Sequence, residues 1–133
     1  MRSNLSLAVL LVALAIGCGK KQSEAPVADQ ETTNRAVAAA TDEAQTMFKT
    51  VCATCHGESG LGNGPGAAAL NPKPRNYTDK AWQATVTDDQ IRQTILMGGA
   101  AVGKSPVMPA QPQLKEKPEV VAALVKIIRT FGR

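Results

Sequence analysis

The chain has 133 residues, a formal net charge of +4 and 44% hydrophobic residues, but only 3% aromatic residues. This length leaves room for about one domain with one small core, whose supply of large side chains is thin. From Thr41 onward there are eleven Lys and Arg residues and eight Asp and Glu residues, with no basic run, so the charge pattern argues against nucleic acid as a partner.

The N-terminus has the pattern of a secretory signal. Arg2 precedes LSLAVLLVALAI, about a dozen mainly apolar residues, which is too short for the roughly 20 residues of a membrane-spanning helix. The next residues complete LAIGC, which resembles a bacterial lipobox, where cleavage before the cysteine leaves a lipid-carrying N-terminus. We therefore predict a lipoprotein signal peptide over residues 1–17 and lipidation at Cys18, with ordinary signal cleavage nearby as the alternative.

Cys18 and the residues after it predict that the domain is tethered to a membrane. An exported protein with three cysteines must account for the odd one, and lipidation of Cys18 does so. Residues 18–40 mix Gln, Ser, Thr, Ala and charges without an apolar stripe, which predicts a flexible tether. A domain over residues 41–133 would then be held on the extracytoplasmic, periplasmic side of a bacterial membrane. Gly19, rather than Asp, follows the cysteine, and in a Gram-negative host this resembles the default for the outer membrane.

The first predicted helix leads into the most specific motif of the chain. Thr41 to Val51 should form a helix that buries Ala44, Met47, Phe48 and Val51. It is followed by CATCH, residues 52–56, in which two thiols three residues apart precede the only histidine of the chain. This spacing matches the attachment motif of c-type haem. On one helical turn, Cys52 and Cys55 can each form a thioether with a porphyrin vinyl group.

The same motif directs a ligand at the iron. His56, next to the second thiol, would be one axial ligand of the haem iron, with its second nitrogen oriented by a backbone acceptor. A redox-active disulfide between Cys52 and Cys55 is an alternative, but no βαβ pattern follows the motif. A structural zinc site would need a fourth ligand that the sequence does not offer. A chance grouping without function is the remaining alternative.

The next element is a predicted helix within TDDQIRQTILMGG, residues 87–99. Thr87 and Gln90 form a capping box, and Gly98 with Gly99 suits a stop. Ile91 and Ile95 should make the buried stripe, together with Leu96.

A methionine is the predicted sixth ligand, because the only histidine is already used and a thioether favours the ferrous state. Met108 lies between Pro106 and Pro109, whose restricted backbone can hold a side chain towards a metal. The alternative for Met108 is packing on the haem edge. Met47 lies in an apolar helical pattern and is expected to pack in the core, while Met97 is expected to pack at the end of its helix, with ligation of the iron as its alternative.

With a last helix predicted from Pro118, in PEVVAALVKIIRTFG, the chain resembles the class I c-type cytochromes over residues 41–133. The glycine- and proline-rich stretch GLGNGPGAAALNPKPRNYTD, residues 60–79, adds to the resemblance. It implies an all-α fold of about three to five helices around one covalent haem, with contacts between the Phe48 face and the Leu124 face. It also suggests Arg75 as a contact of a haem propionate and a carbonyl from Pro72 or Pro74 on His56. Tyr77 and Trp82 would line the haem pocket or pack under the loop.

These features predict single-electron transfer outside the cytoplasm rather than an enzyme. The expected partners are redox proteins or a respiratory membrane complex, and the membrane itself through the lipid on Cys18. The domain is expected to be a monomer unless it belongs to a complex. The alternatives are a haem c gas or redox sensor or small haem enzyme with an open or labile sixth site, or a haem subunit of a larger respiratory complex.

Overall fold

The computed structural model describes residues 27–133, and within this range the secondary structure is helical with no strand. This confirms the all-α prediction. The predicted signal peptide, Cys18 and residues 19–26 of the tether lie outside the described residues. The helices are α1 (Val27–Met47), α2 (Ala53–His56), α3 (Lys80–Thr85), α4 (Asp88–Ala101) and α5 (Pro118–Thr130), with a π-helical turn at Phe48–Cys52 and 3₁₀ turns at Pro65–Ala67 and Pro112–Glu116. Neither α1 nor any later helix combines the length and the apolar character needed to cross a membrane.

Helix α1 begins earlier than the sequence predicts. Residues 27–40, which the sequence predicts to be part of the flexible tether, form the first turns of this helix. The segment contains strong helix formers such as Ala and Glu and no glycine, and Glu31 pairs with Arg35 one turn later. The side chains of residues 29–39 are all exposed. This part of α1 is therefore maintained by local interactions rather than by the core.

The core lies between the C-terminal half of α1 and α5, as the resemblance implies. Ala44 and Phe48 are buried against α5, and the Phe48 ring lies 5.5 Å from that of Phe131. Pro118 opens α5 as predicted, because its ring suits the first helical turn. The buried face of α5 consists of Val120, Val121, Leu124, Val125 and Ile128.

Helix α4 has the predicted start and a modified end. Thr87 and Gln90 form the capping box, with both reciprocal hydrogen bonds present at 2.9 Å and 3.1 Å. Ile91 and Ile95 are buried in the core. Gly98 departs from helical geometry with φ 77° and ψ 171°, but one further turn continues to Ala101. The kink at Gly98 allows the chain that follows to turn back against the end of α4.

Candidate functional site

A π-helical turn presents the haem attachment motif. The Ala53 N–H donates to the Phe48 carbonyl, so the hydrogen bond spans five residues instead of four. The wider turn rotates the following residues around the helix axis. It leaves Val51 45% exposed, where the sequence predicts burial, and it brings Ala53 and His56 to the buried side. Turns of this kind often occur at functional sites.

Cys52 and Cys55 lie on consecutive turns and are both partly buried. They are free thiols, so the structure gives no support to the alternative of a disulfide between them. Burial raises the pKa of the Cys52 thiol to about 11, which keeps it protonated at neutral pH. The pair therefore offers two thiols, three residues apart, beside one imidazole.

His56 is oriented by a backbone carbonyl. The Nδ1 atom lies 3.1 Å from the Arg75 carbonyl oxygen. Because a carbonyl only accepts, Nδ1 must carry the hydrogen, and the lone pair of Nε2 is left for a metal. Burial lowers the pKa of His56, while its hydrogen bond to Arg75 opposes the shift. The acceptor is thus the Arg75 carbonyl, one residue beyond Pro74, and neither of the proline carbonyls suggested by the resemblance.

A stack of aromatic rings covers one face of the His56 imidazole. The Tyr77 ring lies 4.5 Å from the His56 ring with an interplanar angle of 10°, and it is itself stacked on Trp82 and Phe131. Tyr77 is buried, and this burial raises the pKa of its phenol. Tyr77 therefore packs directly against the predicted ligand His56, and Trp82 packs behind Tyr77.

The Arg75 side chain points to a neighbouring helix. Its guanidinium lies 3.4 Å from the Asp79 carboxylate and 5.6 Å from the centre of the Trp82 ring. About half of the side chain is exposed, so it remains within reach of a further anion. The proposed contact with a haem propionate stays a prediction, whereas the backbone of Arg75 has a role that the sequence did not reveal.

The glycine-rich loop wraps closely around the attachment motif. The N–H groups of Gly62 and Gly64 donate to the carbonyls of His56 (2.8 Å) and Cys55 (3.1 Å), respectively, and so bind the C-terminal end of α2. A Cβ atom on Gly64 would collide with the backbone of Ala53 and Thr54. Glycine is therefore required at position 64 by the close approach of two backbones.

Met108 lies in a turn that starts at Ser105, and hydrogen bonds to α4 hold this turn in place. The Gly99 N–H donates to the Met108 carbonyl (3.0 Å), and the Gln111 N–H donates to the Ile95 carbonyl (3.0 Å). These bonds fasten the loop to α4 at Met108 and again three residues later, and the Met108 side chain is partly buried. Met97, which the sequence predicts to pack at the helix end, is 51% exposed. It lies next to the Gly98 kink, outside the Ile91 and Ile95 stripe.

A protein-family model described as Cytochrome c matches residues 41–131, which is more than half of the chain. The chain belongs to the cytochrome c family. This confirms the resemblance, and the matched range begins close to Ala44, the first fully buried residue of α1. No curated protein and no solved structure matches the chain.

Membership of this family implies a covalently bound haem c, and the residues present fit that cofactor. Cys52 and Cys55 provide the two thiols of the attachment motif. The proton on Nδ1 of His56 leaves Nε2 available as a donor to iron. The family is typically one of electron carriers, which agrees with the prediction that the protein is not an enzyme.

Proposed function

We propose that the protein is a monohaem electron carrier whose iron is held by His56 and Met108. The observation that carries this proposal is the hydrogen bond from His56 Nδ1 to the Arg75 carbonyl. It orients the only imidazole of the chain and leaves Nε2 free beside the two attachment thiols. When bound, haem c supplies a one-electron couple between ferric and ferrous iron.

The roles of the protein residues follow from their chemistry. Cys52 and Cys55 would hold the porphyrin through thioethers, and His56 would be a ligand of the iron. Met108 would supply a thioether sulfur as the second protein ligand, which would favour the reduced state and close the iron to a substrate. The two hydrogen bonds between its loop and α4 support this role, because they limit the positions that Met108 can adopt. Arg75 contributes a positive charge towards a propionate.

Export and a lipid on Cys18 complete the proposal. The carrier would exchange electrons with redox proteins or a respiratory complex on the extracytoplasmic side of a bacterial membrane. The support comes from the signal-like N-terminus and from the lipobox-like LAIGC. Mass spectrometry of the mature protein tests this point directly. A diacylglyceryl group on Cys18 is expected, and an unmodified Cys18 or cleavage elsewhere would contradict it.

The sixth ligand is tested by visible spectra of the matured protein, oxidised and reduced, with and without carbon monoxide. We expect a low-spin haem c spectrum that the gas does not change. Met108→Ala should alter this spectrum and admit carbon monoxide. Met97→Ala is the matched control, because it removes an equal side chain that is exposed near the same loop, and it should behave as the wild type.

Two results would overturn the assignment. If the wild-type protein bound carbon monoxide rapidly, the iron would be accessible, and a sensor or a small haem enzyme would become the better interpretation. If Met108→Ala kept the wild-type spectrum, another residue would be the sixth ligand.

A further inference from the structure

A glutamine on α3 connects the histidine environment to the last helix. The Nε2 amide of Gln83 donates to the carbonyls of Tyr77 (2.8 Å) and Ile128 (2.9 Å). Its Oε1 accepts from the Arg129 guanidinium at 2.9 Å. Carbonyls only accept and a guanidinium only donates, so these partners determine which side of the amide is nitrogen. All the polar atoms of the Gln83 side chain are therefore used in linking α3 to Tyr77 and α5.

The Tyr77 backbone is fixed on both sides by this arrangement. Its N–H donates to the Gly60 carbonyl (2.6 Å), and its carbonyl accepts from Gln83. The segment from Arg75 to Tyr77 contacts the imidazole twice. The Arg75 carbonyl accepts from the ring edge of His56, and the Tyr77 ring covers one face.

A single hydrogen bond leaves an imidazole free to tilt, because the outer torsion of a histidine side chain has broad minima. The parallel Tyr77 ring at 4.5 Å removes that freedom by restricting one face. The orientation of the imidazole plane therefore depends on where Tyr77 is held. Gln83 is the side chain that holds its carbonyl.

We propose that Gln83 is a positioning residue for His56, which sets the plane of the imidazole ring by fixing the Tyr77 backbone against α5. The inference rests on the proposed role of His56 as an iron ligand. Groups that orient a ligand in this indirect way commonly tune a metal site. Gln83 touches neither His56 nor the cofactor in this scheme, and acts only through Tyr77.

Two substitutions of Gln83 separate its donor function from its packing. Gln83→Glu keeps an acceptor for Arg129 and loses both donated bonds, so the Tyr77 carbonyl is released. Gln83→Met removes the polar atoms at similar length without adding a charge. Gln93→Glu on α4 controls for the charge, because Gln93 is exposed.

Arg129→Lys controls for general destabilisation. This variant removes guanidinium bonds to backbone carbonyls, while the lysine ammonium can still donate to Gln83 Oε1, so the two bonds that Gln83 donates are kept. It should lower the unfolding temperature and leave His56 unchanged. A purely structural role of Gln83 would instead make the Gln83 and Arg129 variants behave alike.

The test uses nuclear magnetic resonance of the ferric holoprotein. The order and spread of the haem methyl resonances report the orientation of the axial imidazole, and hydrogen exchange of the His56 Nδ1 proton reports its bond to Arg75. We expect Gln83→Glu and Gln83→Met to change the methyl pattern and to speed the exchange about fivefold, which corresponds to the loss of a typical hydrogen bond. Gln93→Glu and Arg129→Lys should keep the wild-type values.

The positioning role is overturned if Gln83→Met shows the wild-type methyl pattern and exchange rate, or if Arg129→Lys produces the same changes. If Gln83→Glu fails to fold, Gln83→Met carries the comparison, since it introduces no buried charge. The two proposals fail separately. Carbon monoxide binding by the wild type would overturn the closed carrier, while exchange at His56 would still report the effect of Gln83.

Discussion

Replacing Gly98 by alanine tests how α4 holds the loop of the proposed ligand Met108. Gly98 has φ 77° and ψ 171°, a backbone region essentially restricted to glycine. A Cβ atom at this position would lie 2.8 Å from the Ala110 nitrogen and 3.0 Å from the Met108 oxygen. Both neighbours are backbone atoms, so the loop itself must move to admit the methyl group. We expect Gly98→Ala to shift the Met108 loop and to weaken the proposed bond between Met108 and the iron.

The expected loss of stability follows from two contributions. The backbone strain costs about 1–3 kcal/mol. Moving the Met108 carbonyl away from the Gly99 N–H removes a hydrogen bond worth about 1 kcal/mol. Together these predict a loss of about 3 kcal/mol. Gly103 is the matched control, because its φ is also positive (69°) but nothing lies within 4 Å of its Cβ position. Gly103→Ala should cost only about 1 kcal/mol.

Thermal unfolding of the two holoproteins checks this difference. For a domain of this size, a difference of about 2 kcal/mol separates the unfolding temperatures by roughly 8–16 °C. The visible spectrum gives a second readout, since Gly98→Ala should bind carbon monoxide more readily than Gly103→Ala does. The reasoning would be refuted if both variants lost the same stability and both kept a closed iron.

Two further predictions concern the core and the junction of α3, α4 and α5. Leu124→Ala should destabilise the fold by about 3–4 kcal/mol, because Leu124 is only 1% exposed; urea unfolding should show a much smaller loss for Val107→Ala, which removes a side chain that is 56% exposed. Arg129→Met should destabilise the fold by about 2 kcal/mol, because it removes two hydrogen bonds to the backbone carbonyls of Gln83 in α3 and Val86 after it. The ion pair between Arg129 and Asp88 should add little, because the Asp88 side chain is 59% exposed. Arg92→Met breaks a surface ion pair on α4 and serves as its control; equal losses in urea would contradict the proposed junction.

Several parts of the site could be predicted from residues that are close in sequence. CATCH indicates the cofactor because two thiols and an imidazole must lie within one or two turns to serve one porphyrin. The capping box at Thr87 and Gln90 and the buried stripe of α5 are equally local, and the structure has both. Signals of this kind act over a few residues, so they do not depend on the rest of the fold.

Other features were decided by tertiary structure. The π turn at Phe48–Cys52 changes the helix phase, which is why Val51 is exposed although it continues the apolar pattern of α1. Met97 similarly follows a helical pattern but comes just before the Gly98 kink, and it is exposed. A pattern assigns a face only while the helix keeps its period.

The sequence by itself determined that this is an all-α cytochrome c domain with one attachment motif and one histidine. The acceptor for that histidine was decided only when the chain folded, because the acceptor is the Arg75 carbonyl. Every residue has a backbone carbonyl, so no side-chain pattern reveals which one will accept. The same holds for the link from Gln83 to Tyr77 and to Ile128, which is 45 residues away from Gln83 in sequence. The residues that hold the histidine in place are therefore a property of how distant segments pack.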